Sequence, residues 1–255
     1  MDIQPPPSSC ADDEDHACYL GRFLVSASAR PPLGNLPPQP VPVRQGDRFG
    51  SFRLGADETM ASDIFLKIVD GRSLPGHAFW IFHAGLTHDA YAVTVTDTVT
   101  GQARVYQNGA DRLGCGGIDT YAFPDPGMAG VQDARGSTLT AGSGDTLTLF
   151  GGRFAVTVSA TDPRSGRKAP GLAMAQDDQN GYFSLPDFTN DPAFPEVFVR
   201  VSQSPDGLLS FEHMGLTDLR YVLTVTDSSG GTVTTYRNDT TDDLHPCGGS
   251  AVLGQ

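Results

Sequence analysis

TVTDTVTGQARVYQN, residues 94–108, returns as TVTDSSGGTVTTYRN at residues 224–238. A self-match of this length is settled first, because two copies of one unit give a different fold from one large domain. The match extends in both directions. Arg22-Phe23-Leu24-Val25 aligns with Arg153-Phe154-Ala155-Val156 at an offset of 131, and Ile64–Ile68 aligns with Val197–Val201 at 133. HAGLTHDAYAVTVTD (83–97) aligns with HMGLTDLRYVLTVTD (213–227) at 130, and Cys115-Gly116-Gly117 with Cys247-Gly248-Gly249 at 132. Offsets that wander slightly are what loop insertions leave between copies, so the chain reads as a tandem duplication.

Within each copy the apolar residues alternate. Phe23, Val25, Ala27 and Ala29 share one face against Leu24, Ser26 and Ser28, and Phe154, Val156, Val158 and Ala160 oppose Ala155, Thr157 and Ser159. That is the period of a half-buried strand. In the repeated hairpin Tyr91, Val93 and Val95 share a face, and Thr100-Gly101 and Gly230-Gly231 supply the permissive φ of the turn. FWIF (79–82), apolar on both faces, reads as a central covered strand. Strands are predicted near 19–29, 40–45, 49–54, 63–70, 77–83, 89–97 and 102–108. The second copy predicts them near 151–160, 171–176, 181–185, 196–202, 207–213, 219–227 and 232–238.

Seven short strands in about 115 residues indicate an all-β protein of two tandem immunoglobulin-like or fibronectin-like Greek-key β-sandwiches. Tyr91 and Tyr221, each opening a penultimate strand, resemble the tyrosine corner of such sandwiches. The expected organisation is a disordered segment at 1–9, a first sandwich at 10–123, a Pro/Gly-rich linker at 124–138 and a second sandwich at 139–255. The Pro-rich stretch 31–43 reads as a loop running into an edge strand.

Composition narrows the partners. The 255 residues carry 30 acidic against 17 basic side chains, a net charge of −13, and the only lysines are Lys67 and Lys168. Such a surface repels nucleic acid and anionic membranes. No apolar run approaches the roughly 18 residues of a membrane helix, which argues against membrane insertion. MDIQPPPSSCADDEDHAC at the start has neither the basic residues nor the apolar segment of a signal peptide. That start suits either a cytosolic protein or one whose leader has been removed.

Gly21-Arg22-Phe23, Gly181-Tyr182-Phe183, Ile68-Val69-Asp70-Gly71, Phe79-Trp80-Ile81-Phe82 and the run Thr94–Asn108 together resemble one uncharacterised β-sandwich module. Its pattern is GRFxV…GYF…FWxF…LTxxxYxxTVTDTxTGxxxxYxN, and it recurs, often in tandem, in secreted proteins of environmental bacteria. The resemblance covers nearly all of both copies and implies an extracellular or cell-surface location without any particular activity. The second copy departs from it at Leu208-Leu209-Ser210-Phe211, so a surface built on Trp80 belongs to the first copy alone. Members of the module also carry a C-x(7)-C pair before the first strand, matched here by Cys10 and Cys18.

Four cysteines allow three pairings. Cys10 and Cys18 can close a short loop, leaving Cys115 with Cys247 at equivalent places in the copies. An even count favours disulfides formed in an oxidising compartment. The rival chemistry is a zinc site on His16-Ala17-Cys18 and His245-Pro246-Cys247, but the C-x(2–4)-C spacing of structural zinc is missing. Asp177-Asp178-Gln179-Asn180-Gly181 resembles a calcium loop without the alternating carboxylates or the closing Glu, and it reads more simply as a turn. DDED (12–15) reads as a solvated loop. Calcium and zinc are therefore the only cofactor candidates, and neither is the favoured reading. His83 and His213, at matching strand ends, read as residues covering the core margin rather than as ligands.

The G-x-S-x-G elbow, the phosphate loop and the dinucleotide fingerprint do not occur. The sequence therefore points to a non-catalytic, secreted structural or adhesive protein. It would be a subunit of an extracellular filament or surface layer whose partners are itself or other extracellular proteins. The alternative is a ligand-binding module for carbohydrate or protein, with Trp80, Tyr106, Tyr182 and Tyr236 as stacking surfaces. A metal-dependent enzyme built on the H-x-C pairs ranks third.

Overall fold

The computed structural model describes residues 10–30, 40–54, 62–110, 112–125, 144–238 and 247–254. The segment 1–9 lies outside the described residues, as does the expected linker apart from Pro124 and Asp125. The first half of the chain forms β1 (Ala17–Tyr19), β2 (Phe23–Arg30), β3 (Pro40–Arg44), β4 (Phe49–Leu54), β5 (Ile64–Gly71), β6 (Ala78–Gly85), β7 (Ala90–Asp97), β8 (Ala103–Asn108) and β9 (Gly116–Pro124). The second half forms β10 (Thr146–Leu149), β11 (Phe154–Thr161), β12 (Lys168–Pro170), β13 (Leu172–Ala175) and β14 (Asn180–Ser184). After a one-turn helix α1 (Pro186–Thr189) come β15 (Pro195–Gln203), β16 (Leu209–Gly215), β17 (Arg220–Asp227), β18 (Thr232–Arg237) and β19 (Gly249–Gly254). The protein is nearly all β, as the alternating pattern requires.

Four antiparallel sheets result, ordered β1-β2-β7-β8, β3-β4-β5-β6-β9, β10-β11-β17-β18 (with β12 also on β11) and β13-β14-β15-β16-β19. The first two enclose a core that includes Phe23, Val25, Tyr91, Val93 and Val95 from one layer and Phe52, Ile64, Leu66, Phe79 and Ile81 from the other. The last two enclose Leu147, Phe154, Val156, Tyr221 and Leu223 against Phe183, Val197, Val199 and Phe211. Each side chain here falls on the inward side of the period-2 alternation seen in the sequence, so burial and register agree.

The immunoglobulin fold places strands A, B, E and D in one sheet and C, F and G in the other. Counted from β1, the first half places its first, second, seventh and eighth strands in one sheet and the rest in the other. The two-layer build matches that expectation and the strand order departs from it. The predicted strands lie near observed ones, but β1, β9, β10, β12 and β19 and the helix α1 were not anticipated. They are short, or begin at a Gly pair that reads as a turn, β9 with Gly116-Gly117 and β19 at the second glycine of Gly248-Gly249.

The repeated hairpin owes its geometry to one acid. Asp97 N donates to Gln102 O and Gly101 N to Asp97 O, while the Asp97 carboxylate accepts from Val99 N and the Thr100 hydroxyl. Gly101 takes φ +72°, which an L side chain rarely adopts. Asp162 and Gly166 build the same turn between β11 and β12, with φ +72° at Gly166. Asp227 accepts from Ser229 N and the Ser229 hydroxyl, and Gly231 takes φ +66°. D-x-x-x-G thus encodes all three turns.

By contacts the chain divides into two units. Unit 1 is residues 1–83, 87–111 and 119–137, and unit 2 is residues 84–86, 112–118 and 138–255. The short segments 84–86 and 112–118, which the repeat assigns to the first copy, therefore count with unit 2. Among the described residues no helix is long and apolar enough to cross a membrane.

Candidate functional site

The arginine of the GRF motif and the aspartate of TVTD, far apart along the chain, meet in each unit. Arg22 Nε and Nη2 donate to Asp97 Oδ1 and Oδ2 at 2.8 and 2.7 Å, and Arg153 makes the same fork with Asp227 at 3.1 and 2.9 Å. Such bidentate pairs fix geometry as well as charge. Burial pushes the Asp97 carboxyl up, but Arg22, Thr100 and the Val99 amide more than offset it, so it lies below the usual carboxylate range. In unit 1 the pair grows into a chain: Arg22 Nη1 reaches Asp125 at 2.7 Å, Arg72 reaches Asp125 at 3.5 Å, and Arg72 forks onto Asp70. Both guanidiniums lie over the ring of buried Phe79, at 4.7 and 4.4 Å.

The repeated histidines are buried, His83 5% and His213 2% exposed. Each links the two layers of its sandwich. The Tyr221 hydroxyl lies 3.0 Å from His213 Nδ1, and the Tyr91 hydroxyl 3.3 Å from His83 Nδ1. Burial lowers His213 to about 4 and raises the Tyr221 phenol, so the link joins two neutral groups. The tyrosines expected to form a tyrosine corner thus each contact a histidine of the facing sheet.

Of the four aromatic residues expected as stacking surfaces, Trp80, Tyr106 and Tyr236 are half-buried and Tyr182 is buried. Tyr182 is 1% exposed, with its ring 4.8 Å from that of Phe198, and is withdrawn from any surface. Tyr106 donates to Asp119 Oδ2 at 2.9 Å and lies 5.3 Å from the His83 ring. Tyr236 stacks on Phe211 at 4.9 Å. Trp80 is half-buried; its indole Nε1 has no hydrogen-bond partner among the described residues and crowds Gly71, where a Cβ would fall 2.4 Å from it. Trp80 and Tyr106 belong to unit 1, Tyr182 and Tyr236 to unit 2.

All four cysteines are oxidised, Cys10 to Cys18 and Cys115 to Cys247. The second bridge lies in unit 2, where Gly85 N donates to Cys115 O, Gly114 N to Gly85 O and Gly248 N to Gly114 O. A Cβ on Gly248 would fall 1.9 Å from His213 O, and one on Gly114 would fall 2.7 Å from it. The glycine after the second-copy cysteine is therefore there for close backbone approach. With Cys18 and Cys247 in disulfides, the H-x-C pairs offer no thiolate to a metal, and His245 lies outside the described residues.

The acidic turns are occupied by amides. Asp177 accepts from Gln179 N, Asn180 N and Asn180 Nδ2, and Asp178 accepts from Gly151 N. Within DDED, Asp12 accepts from Cys18 N, and Asp13 accepts from Asp15 N and His16 N. Among the described residues no group of three or more His, Cys, Asp or Glu is gathered as a metal site.

On the outer face of the β10-β11-β17-β18 sheet the register aligns Thr146, Thr157, Thr224 and Thr235 directly opposite one another. This row was hidden in the sequence because its members come from four separate strands. Comparison with protein-family models, with curated proteins and with solved structures gives no match to the chain.

Proposed function

We propose that the chain is a secreted, non-catalytic structural or adhesive protein that serves as a subunit of an extracellular or surface assembly. In this reading it is two tandem copies, related by internal duplication, of the Greek-key sandwich module that its GRF, GYF, FWIF and TVTD motifs resemble. The sandwiches are immunoglobulin-like in their two-layer build. The observation that carries the proposal is the recurrence of one layout on a single chain. β2-β7-β8 facing β4-β5-β6-β9 corresponds in order to β11-β17-β18 facing β14-β15-β16-β19. The same Arg–Asp fork and His–Tyr link recur at matching positions.

The residues that recur thus have structural work, tying hairpin to strand and layer to layer, which suits a stiff spacer. Two disulfides suit an oxidising, extracellular environment. The partners are itself or other extracellular proteins. The test is fractionation of the native cells with thiol alkylation before any reduction. Full-length chain outside the cell, in high-mass material and with no alkylated cysteine, is expected. Chain confined to the cytosol with four alkylated thiols would refute the proposal.

A further inference from the structure

The β10-β11-β17-β18 sheet ends on β18, which has no described strand beyond it. The direction of each amide follows from two hydrogen bonds. Ser228 N donates to Arg153 O toward β11, and Tyr221 N donates to the Asn238 side chain just past β18. Amides alternate sides along a strand, so Tyr221, Leu223, Val225 and Asp227 face β18. Leu223, Val225 and Asp227 lie opposite Tyr236, Thr234 and Thr232, which exchange hydrogen bonds with them. The N–H and C=O groups of Val233, Thr235 and Arg237 therefore point away from the sheet, and all three side chains are exposed.

Natural edge strands are blunted by proline, charge or bulges. β3 carries Pro40 and Pro42 at its edge, and β8 carries Arg104, which reaches across to Ala122 O on β9. β18 has no proline, its one charge, Arg237, lies at its end, and its pairing with β17 is regular.

We infer that β18 is a self-docking edge: a second copy of this chain adds its own β18 antiparallel to it, centred on Thr235. The inference rests on the assembly reading above and names its partner and contact. A two-fold axis normal to the sheet through this centre sets Thr235 opposite Thr235, Val233 opposite Arg237 and Thr234 opposite Tyr236. The three outward-facing residues then become the bonded pairs, with about six backbone hydrogen bonds. Inner side chains meet inner and outer meet outer, which a one-residue slip would reverse. No like charges are opposed, and Thr–Thr pairs across strands are favourable. The row Thr146, Thr157, Thr224, Thr235 continues unbroken into the second copy, so the contact repeats a pairing the sheet already makes three times.

The test is sedimentation velocity and amide hydrogen exchange on the full, disulfide-intact chain, from about 1 to about 200 µM. Thr235→Pro removes an outward donor where an edge strand tolerates proline. Thr235→Lys keeps every backbone donor and puts like charges face to face. Val105→Pro on β8 is the control, since the Asp97–Gln102 bond and the β7–β8 register leave the Val105 amide outward as well. The expected result is a wild type that dimerises with concentration while exchange slows at Val233, Thr235 and Arg237. Both Thr235 variants should weaken association by about tenfold or more, and Val105→Pro should match the wild type. If Thr235→Pro alters the circular dichroism, the Thr235→Lys result decides. Association that survives Thr235→Lys overturns the edge and leaves the assembly reading standing. A wild type monomeric throughout overturns both.

Discussion

Replacing both Cys115 and Cys247 with Ala should cost more stability than replacing both Cys10 and Cys18, and the cost should fall on a different unit. The bridged residues are 132 positions apart in one case and 8 in the other. Loop-closure entropy withheld from the unfolded chain amounts to about 5 kcal/mol for the long loop and about 2.5 kcal/mol for the short one. At an m-value of about 2 kcal/mol/M, urea midpoints should fall by about 2–3 M and about 1 M respectively. The molecule supplies its own probes. Trp80, the single tryptophan, lies in unit 1 with Cys10 and Cys18, so its fluorescence follows that unit, while far-UV circular dichroism follows both. C10A/C18A should move the Trp80 transition. C115A/C247A should move a circular dichroism transition to which Trp80 is blind. Equal shifts from the two double variants, or a Trp80 transition moved mainly by C115A/C247A, would refute the reasoning.

Three further outcomes follow from the contacts. Burial holds His213 at about 4 in the folded state against an ordinary 6.5, so between these values the unfolded chain binds more protons. The contribution is full above about 6.5 and is lost as pH falls toward about 4, roughly 3 kcal/mol in all; His213→Gln should flatten urea midpoints across that window. Gly248→Ala drives a Cβ into His213 O and should cost about 2 kcal/mol or more, whereas Gly230→Ala, with only a 3.5 Å contact, should be nearly neutral by thermal melts. Asp97→Asn breaks a fork whose carboxylate is 1% exposed and should cost about 3 kcal/mol, against about 1 kcal/mol for Asp125→Asn at a carboxylate 25% exposed. A double-mutant cycle with Arg22→Ala checks both.

Much of this was legible in the sequence, and the rest had physical reasons to be hidden. The period-2 runs located the long strands because each has one wet and one dry face, as in β2 and β11. The repeat flagged Arg22, Asp97, His83 and Cys115 as recurring, but not what they touch. Arg22 and Asp97 are 75 positions apart, and only the sheet register makes them neighbours. The strand order escaped for the same reason: alternation tells which face a residue takes, not which strand lies beside it. β9 and β19 were missed because Gly-Gly carries the usual signature of a turn, although Gly248 serves close backbone approach beside a disulfide. Tyr182 misled as an aromatic candidate because a tyrosine looks alike in sequence whether its ring is exposed or packed on Phe198.

The proposed role is association rather than turnover, and the direct measurement is light scattering of the oxidised, full-length chain across concentration at low and high salt. At a net charge of −13 the copies repel one another, so mass should rise with concentration and rise further as salt screens that repulsion. A monomer at every concentration and ionic strength would contradict the assembly role.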